Sequence, residues 1–166
     1  MKLPDFTLGI EEEFMVIDPE TGELKSHISE MITQQEQALP EKVHRELHQS
    51  VVEIGSKICA DIKEARHEVT HTRSIICAIA RKHGLRIGAA GTHPTTHWDQ
   101  VATNENPRYD RILDDLRVVA RANVVYGLHV HVGIEDKELL IDVQNQARYF
   151  LPHLLALTTS SPFFRK

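Results

Sequence analysis

An α+β fold, with one sheet backed by helices on a single face, follows from three stretches of the 166-residue chain. Thr7 to Ile17 and Val124 to Ile134 each alternate between an apolar face and a face carrying acids or imidazoles, and Asp61 to His83 has the length and periodicity of an amphipathic helix. Strands with one apolar face need an apolar layer behind it, and the helix supplies that layer; the opposite face is left open and polar. With 41% hydrophobic residues the chain can bury one sizeable core, so residues 1–166 are read as a single domain.

The balance of 24 acidic against 19 basic residues, a net charge of −5, comes without any lysine or arginine run. Neither nucleic acid nor a membrane surface is therefore an expected partner. The opening MKLPDF lacks the apolar core of a secretory signal, and no run is apolar enough to span a bilayer. Cys59 and Cys77 have no metal or redox spacing, which fits a reduced, cytoplasmic protein.

In the first strand Phe6, Leu8, Ile10, Phe14 and Val16 fall on the core face, and Glu11 and Glu13 project side by side from the other. Carboxylates held this way repel each other and favour protonation of one unless a cation lies between them; oxygen donors suit Mg2+, Mn2+ or Ca2+. Glu12 falls on the apolar face and requires a basic partner or a place near the sheet edge. The competing reading is an edge strand whose charges discourage aggregation. Asp18 to Gly22 carries the residues of a tight reversal, with Glu23 to His27 returning as a second strand. Ile28 to Leu39 is weakly helical, Pro40 interrupts it, and Glu41 to His48 resumes a helix with Val43 and Leu47 one turn apart. Ser50 to Ile54 reads as a short buried strand whose single acid, Glu53, can join the first pair. Glu46, near the end of the preceding helix, can reach the same place, although a solvated or structural acid is the alternative at each position.

Asp61 and Glu64 are spaced as a capping box, Gly84 is placed to end the long helix, and Ile62, Ala65, Val69, Ile76 and Ile79 form its core stripe. The same helix contains His67-Glu68-Val69-Thr70-His71, the pattern of a zinc hydrolase in which two histidines bind zinc and the glutamate activates water. His67 and His71 point away from the apolar stripe among the polar Arg66, Thr70, Thr72 and Arg73, so a solvated face fits better. Arg86 to Ala90 is a strand running into an irregular loop at Gly91-Thr92-His93-Pro94, where Pro94 keeps His93 and His97 from sharing a helical face. Asn106 and Pro107 start a helix striped by Tyr109, Ile112, Leu113, Leu116 and Ala120 and ending near Asn123. The strand Val124 to Ile134 puts His129 and His131 on one face with Gly127 and Gly133, and Leu128, Val130 and Val132 on the other. Lys137 to Leu157 is a last amphipathic helix, kinked or restarted at Pro152.

The set GIEEEF, Glu46 with Glu53 inside VEI, GTHP and GLHVHVG resembles the type 2 glutamate–cysteine ligase family, the carboxylate–amine ligases, in the right order along the whole chain. The resemblance implies a glutamine synthetase-like fold: a curved, mainly antiparallel sheet around an ATP and divalent-metal site. It implies ATP- and Mg2+-dependent joining of a carboxylate, the γ-carboxylate of glutamate, to an amine such as cysteine, with Mn2+ as a substitute ion. Glu11, Glu13, Glu46, Glu53 and His129 would be metal ligands, and His131 would face substrate or phosphate. Arg73 and His93 would grip substrate or nucleotide. The segment after Glu53 reads GSKIC, a departure from the family's threonine–proline, and the chain stops in mid-pattern at Ser160 to Lys166. It therefore resembles the N-terminal half of such an enzyme, with a fold that is incomplete as it stands and a site that a homo-oligomer or a second chain would complete. A catalytically incomplete metal-binding or assembly module with the same fold is the alternative.

Overall fold

A computed structural model describes residues 6–27 and 29–163. The predicted reading of MKLPD, the helix start at Ile28 and the last three residues lie outside these. Along the chain run β1 (Thr7–Ile17), α1 (Ser29–Ala38), β2 (Val43–Arg45), β3 (Val51–Gly55), α2 (Ile62–Lys82), β4 (Arg86–Gly88), α3 (Pro107–Leu116), α4 (Val118–Arg121), β5 (Leu128–Gly133) and α5 (Lys137–Thr158). Every strand pairing is antiparallel. The order is β2-β3-β1-β4, and β5 shares with β4 the side of β1 opposite β3, β5 pairing Thr7 to Glu12 and β4 pairing Met15 to Ile17. The long glutamate strand is thus the centre of an open sheet, so the edge-strand explanation of its charges does not hold.

One face of the sheet is packed by α1 and α2. Phe14, Val16, Val43, Val52 and Ile54 meet Met31, Ile32, Ile76, Ile79 and Ala80 in the main core. Asp61 caps α2 by accepting from the backbone N–H groups of Lys63 and Glu64, satisfying donors that the helix leaves orphaned. Buried on this face, Glu12 accepts a 2.8 Å hydrogen bond from Arg73 Nε and a second from Arg73 Nη2. The expected basic partner of Glu12 is therefore Arg73. On the opposite face, Met15, Val51 and Tyr126 form a smaller cluster at the C-terminal half of β1, and Tyr126 and Ser50 share a 3.1 Å hydrogen bond between their hydroxyls. The N-terminal half of that face is open.

Several boundaries differ from the sequence reading. Residues 41–48 are not helical: Glu41 adopts φ 61°, and Val43–Arg45 pairs with β3. Val43 enters the core while Arg45 reaches Glu36 of α1 through a 2.8 Å bond from Nε and a 3.1 Å bond from Nη2. Strand pairing and this ion pair outweigh a weak helical pattern. The return after the Asp18 turn reduces to one bridge between Ile17 and Leu24. The helix predicted to Asn123 breaks at Arg117, which has φ 46° and lies between α3 and α4. Of the α2 stripe, Ile62 is 65% exposed, and Glu68 and Thr72 are buried in addition. Pro152 lies inside an α5 that runs unbroken from Lys137 to Thr158.

No residue of α5 is buried, and Leu128, Val130 and Val132 of β5 are all more than half exposed. Phe6, expected in the core, is 43% exposed beside them. After α5 the chain returns to the body, where Ser160 O accepts from Gly91 N–H at 2.8 Å and Phe163 O from Thr92 Oγ1 at 2.6 Å.

Candidate metal and substrate site

Antiparallel register, not sequence proximity, assembles the open end of the sheet. Glu11 lies opposite His129 of β5, Glu13 opposite Glu53 of β3, and Glu53 opposite His44 of β2. Residues directly opposite share a face with their Cβ atoms about 5 Å apart. Glu11 Oε2 lies 3.1 Å from His129 Nδ1 and 3.1 Å from His131 Nε2. These side chains offer ligand atoms within 4.8 Å of one another, a grouping open to solvent. The two imidazoles hold the Glu11 carboxyl below the usual carboxylate range through hydrogen bonds, first from His129 and then from His131.

Glu13 is fixed differently. Its Oε2 accepts from Gly127 N–H at 2.8 Å, while Gly127 O accepts from Glu13 N–H at 3.0 Å. A Cβ on Gly127 would sit 3.3 Å from His129 Nε2 and 3.5 Å from Glu13 Oε2, so glycine leaves room for both groups. Ser56 closes β3 onto β1: its N–H donates to Ile10 O and its Oγ accepts from Ile10 N–H, both at 2.8 Å.

Glu53 keeps its proton to an unusually high pH, its pKa pushed up to about 8 by burial, then by its hydrogen bond to Glu46, then by the negative charges of Glu46, Glu11 and Glu13. A carboxyl this crowded fits a cation's place: four acids converge, and a bound cation would offset their repulsion as a proton on Glu53 does. Because the folded value lies above the ordinary 4.5, the stability this proton confers is full below about pH 4.5 and is lost as pH rises to about 8. His27 and His48, whose values burial lowers from 6.5, act in the opposite sense, their contribution being lost as pH falls below about 6.5. Comparing wild type with Glu53→Gln separates the two. Between pH 5 and 8 in chelator, wild type is expected to lose about 2 kcal/mol relative to the variant in urea unfolding, a figure discounted for solvent screening. A constant difference would show that Glu53 does not hold its proton through this range.

The remaining candidates lie elsewhere. Arg73 is on the helix-covered side with Glu12, with its guanidinium 5.8 Å over the Phe14 ring, so the structure does not bring it to Glu11. His93 Nε2 donates to Gly22 O at 2.9 Å and its Nδ1 accepts from Thr96 N–H at 3.1 Å, a pair of bonds that ties the GTHP loop to the first turn. Glu46 belongs to the irregular segment after β2, not to a helix end, and it reaches Glu53 from there. His67 and His71 are exposed, with nearly parallel rings 6.4 Å apart, and the buried Glu68 between them is ion-paired to Lys42. That pairing removes the base a zinc hydrolase would need. His67→Ala is expected to change stability by no more than about 0.5 kcal/mol and to leave cation binding at the sheet intact, as thermal melts and Mn2+ titration would report.

His44 is the site-face residue that the sequence reading passed over. The helix assigned to residues 41–48 concealed the alternation of Val43, His44 and Arg45 that would have revealed it.

An open antiparallel sheet backed by two helices is a fold shared with a solved glutamate–cysteine ligase. The crystal structure of such a ligase from Francisella tularensis in complex with AMP superposes with a TM-score of 0.64 at 14% identity, over 89% of this chain and 30% of that one. That likeness establishes the fold. The model of glutamate–cysteine ligase family 2 matches residues 7–165, and the chain belongs to this family. Proteins provisionally named glutamate–cysteine ligase 2 are 50% identical in Sorangium cellulosum, over 96% of this chain and 43% of that protein. The Solibacter usitatus relative is 48% identical over 97% of this chain and 42% of its own length. The chain thus spans about two-fifths of the length of these relatives. No helix among the described residues is long and apolar enough to cross a membrane.

Proposed function

We propose that this chain forms the metal-binding part of an ATP-dependent ligase that joins the γ-carboxylate of glutamate to an amine such as cysteine. The observation that carries this reading is the convergence of Glu11, Glu13, Glu53, His129 and His131 on one open sheet face in a member of the glutamate–cysteine ligase family. A carboxylate is a poor acyl donor. Transfer of the terminal phosphoryl group of ATP to the carboxylate oxygen gives an acyl phosphate and ADP; the amine nitrogen then attacks the carbonyl carbon, phosphate leaves, and the nitrogen loses a proton. Bound Mg2+ or Mn2+ supplies neutralisation of the charge on the transferring phosphoryl group. Glu11, Glu13, Glu46, Glu53 and His129 are the groups that would hold such ions, an oxygen-rich set suited to hard cations. His131, 3.1 Å from the same Glu11 oxygen as His129, is the residue we assign to phosphate or substrate.

A second reading is favoured by the exposed apolar rows of β5 and α5. On that reading the module binds metal but turns over only when a second copy or a second chain completes the site. ADP release with Mg2+, ATP, glutamate and a panel of amines including cysteine separates the two. Amine-dependent release is the expected result for a working site. Mn2+ binding without release would select the incomplete module, and absence of both would refute the ligase reading.

A further inference from the structure

The outer strand β2 carries an imidazole toward the same face. His44 lies directly opposite Glu53 in the β2–β3 register, and Gly55, the next residue of β3 on that face, lies directly opposite Glu11 of β1. A Cβ built on Gly55 would meet, within 4 Å, only His44 Nε2, at 3.9 Å. The strip from Glu11 across Gly55 to His44 is therefore floored by backbone, with an acid at one side and an imidazole at the other. Adjacent strands are about 4.8 Å apart, which makes the strip about 10 Å wide.

The acids of this face, Glu11, Glu13, Glu46 and Glu53, would hold a cation, so an anion enters the strip as that cation's partner and its remaining oxygens need donors. The neighbouring basic groups are engaged elsewhere: Lys42 with Glu68, Arg45 with Glu36, Lys57 with Glu64 and Arg73 with Glu12. His129 and His131 are bound to Glu11. His44 is exposed, and it is the imidazole of this face placed away from Glu11. A neutral imidazole offers one N–H donor and an imidazolium offers two, both suited to an anionic oxygen.

We propose that His44 is a further ligand-binding residue of this site, donating to an anionic oxygen of a ligand that lies over Gly55. This rests on the ligase reading, in which the anionic oxygen belongs either to the phosphate chain of ATP or to a carboxylate of glutamate. Calorimetric titration of the whole chain with Mg-ATP and, separately, with glutamate in the presence of Mg2+ distinguishes the sources. His44→Ala is expected to weaken one of the two by about tenfold, with His44→Gln, which keeps a donor, recovering part of the loss and Mn2+ affinity unchanged in both. Loss with Mg-ATP alone assigns His44 to phosphate, and loss with glutamate alone assigns it to carboxylate. Binding of both ligands by His44→Ala within twofold of wild type would overturn the inference. If the wild-type chain takes up Mn2+ but neither ligand, the anion-binding role of His44 in this chain fails while the metal site stands; if it takes up none of the three, the ligase reading itself fails.

Discussion

Replacing Glu11 and Glu13 together with alanine is expected to lower Mn2+ affinity by at least about 100-fold, measured by the electron paramagnetic resonance of the free ion. Both side chains project from the central strand, so their removal leaves the packed face untouched. The loss is larger than two carboxylates alone would give. Glu11 anchors His129 and His131 through bonds of 3.1 Å each, and without it both rings lose their fixed orientation. Glu13 accepts from Gly127 N–H, and its removal leaves that donor without its carboxylate. The same substitution removes two of the negative charges that hold the Glu53 proton, so the titration of Glu53 should move toward lower pH. Unchanged Mn2+ affinity in a folded double variant would place the metal elsewhere.

Arg73→Ala is expected to destabilise the chain by roughly 2–3 kcal/mol, a fall in Tm of about 5–10 °C, without altering Mn2+ binding. The cause is Glu12. Its carboxylate lies buried beneath α2, and Arg73 satisfies it from the helix. Removing the guanidinium strands a buried charge; the half-exposed position of Arg73 keeps the cost below that of a fully enclosed pair. Replacing both residues by leucine should recover most of the stability, because the desolvated charge then goes with its partner. Normal stability with lost nucleotide binding would instead return Arg73 to the substrate site.

The glutamate strand was legible because its alternation is strict: Glu11 and Glu13 face one way and Phe14 and Val16 the other. The need of Glu12 for a base was equally visible, since a lone acid among apolar neighbours has few solutions. The identity of that base was not, because Arg73 lies 61 residues away and contact between them depends on how α2 crosses β1. His131 is a similar case. Sequence alternation placed it beside His129, but its distance to Glu11 equals that of His129, an outcome of register and rotamer that spacing alone does not decide. Residues 41–48 misled because three residues of edge strand carry too short a pattern to outweigh a helical spacing of Val43 and Leu47.

The bare rows on β5 and α5 have a consequence for the behaviour of the chain in solution. Leu128, Val130 and Val132 lie in line along a strand that pairs only with β1 among the described residues, and Tyr149, Phe150, Leu154 and Leu155 stand exposed on the helix that follows. Such a surface is a template for backbone addition and for oily contact between molecules. Concentration, salt and the presence of a covering polypeptide will decide whether the molecule stays dispersed, so its colloidal state is governed at the end of the sheet where its chemistry is also placed.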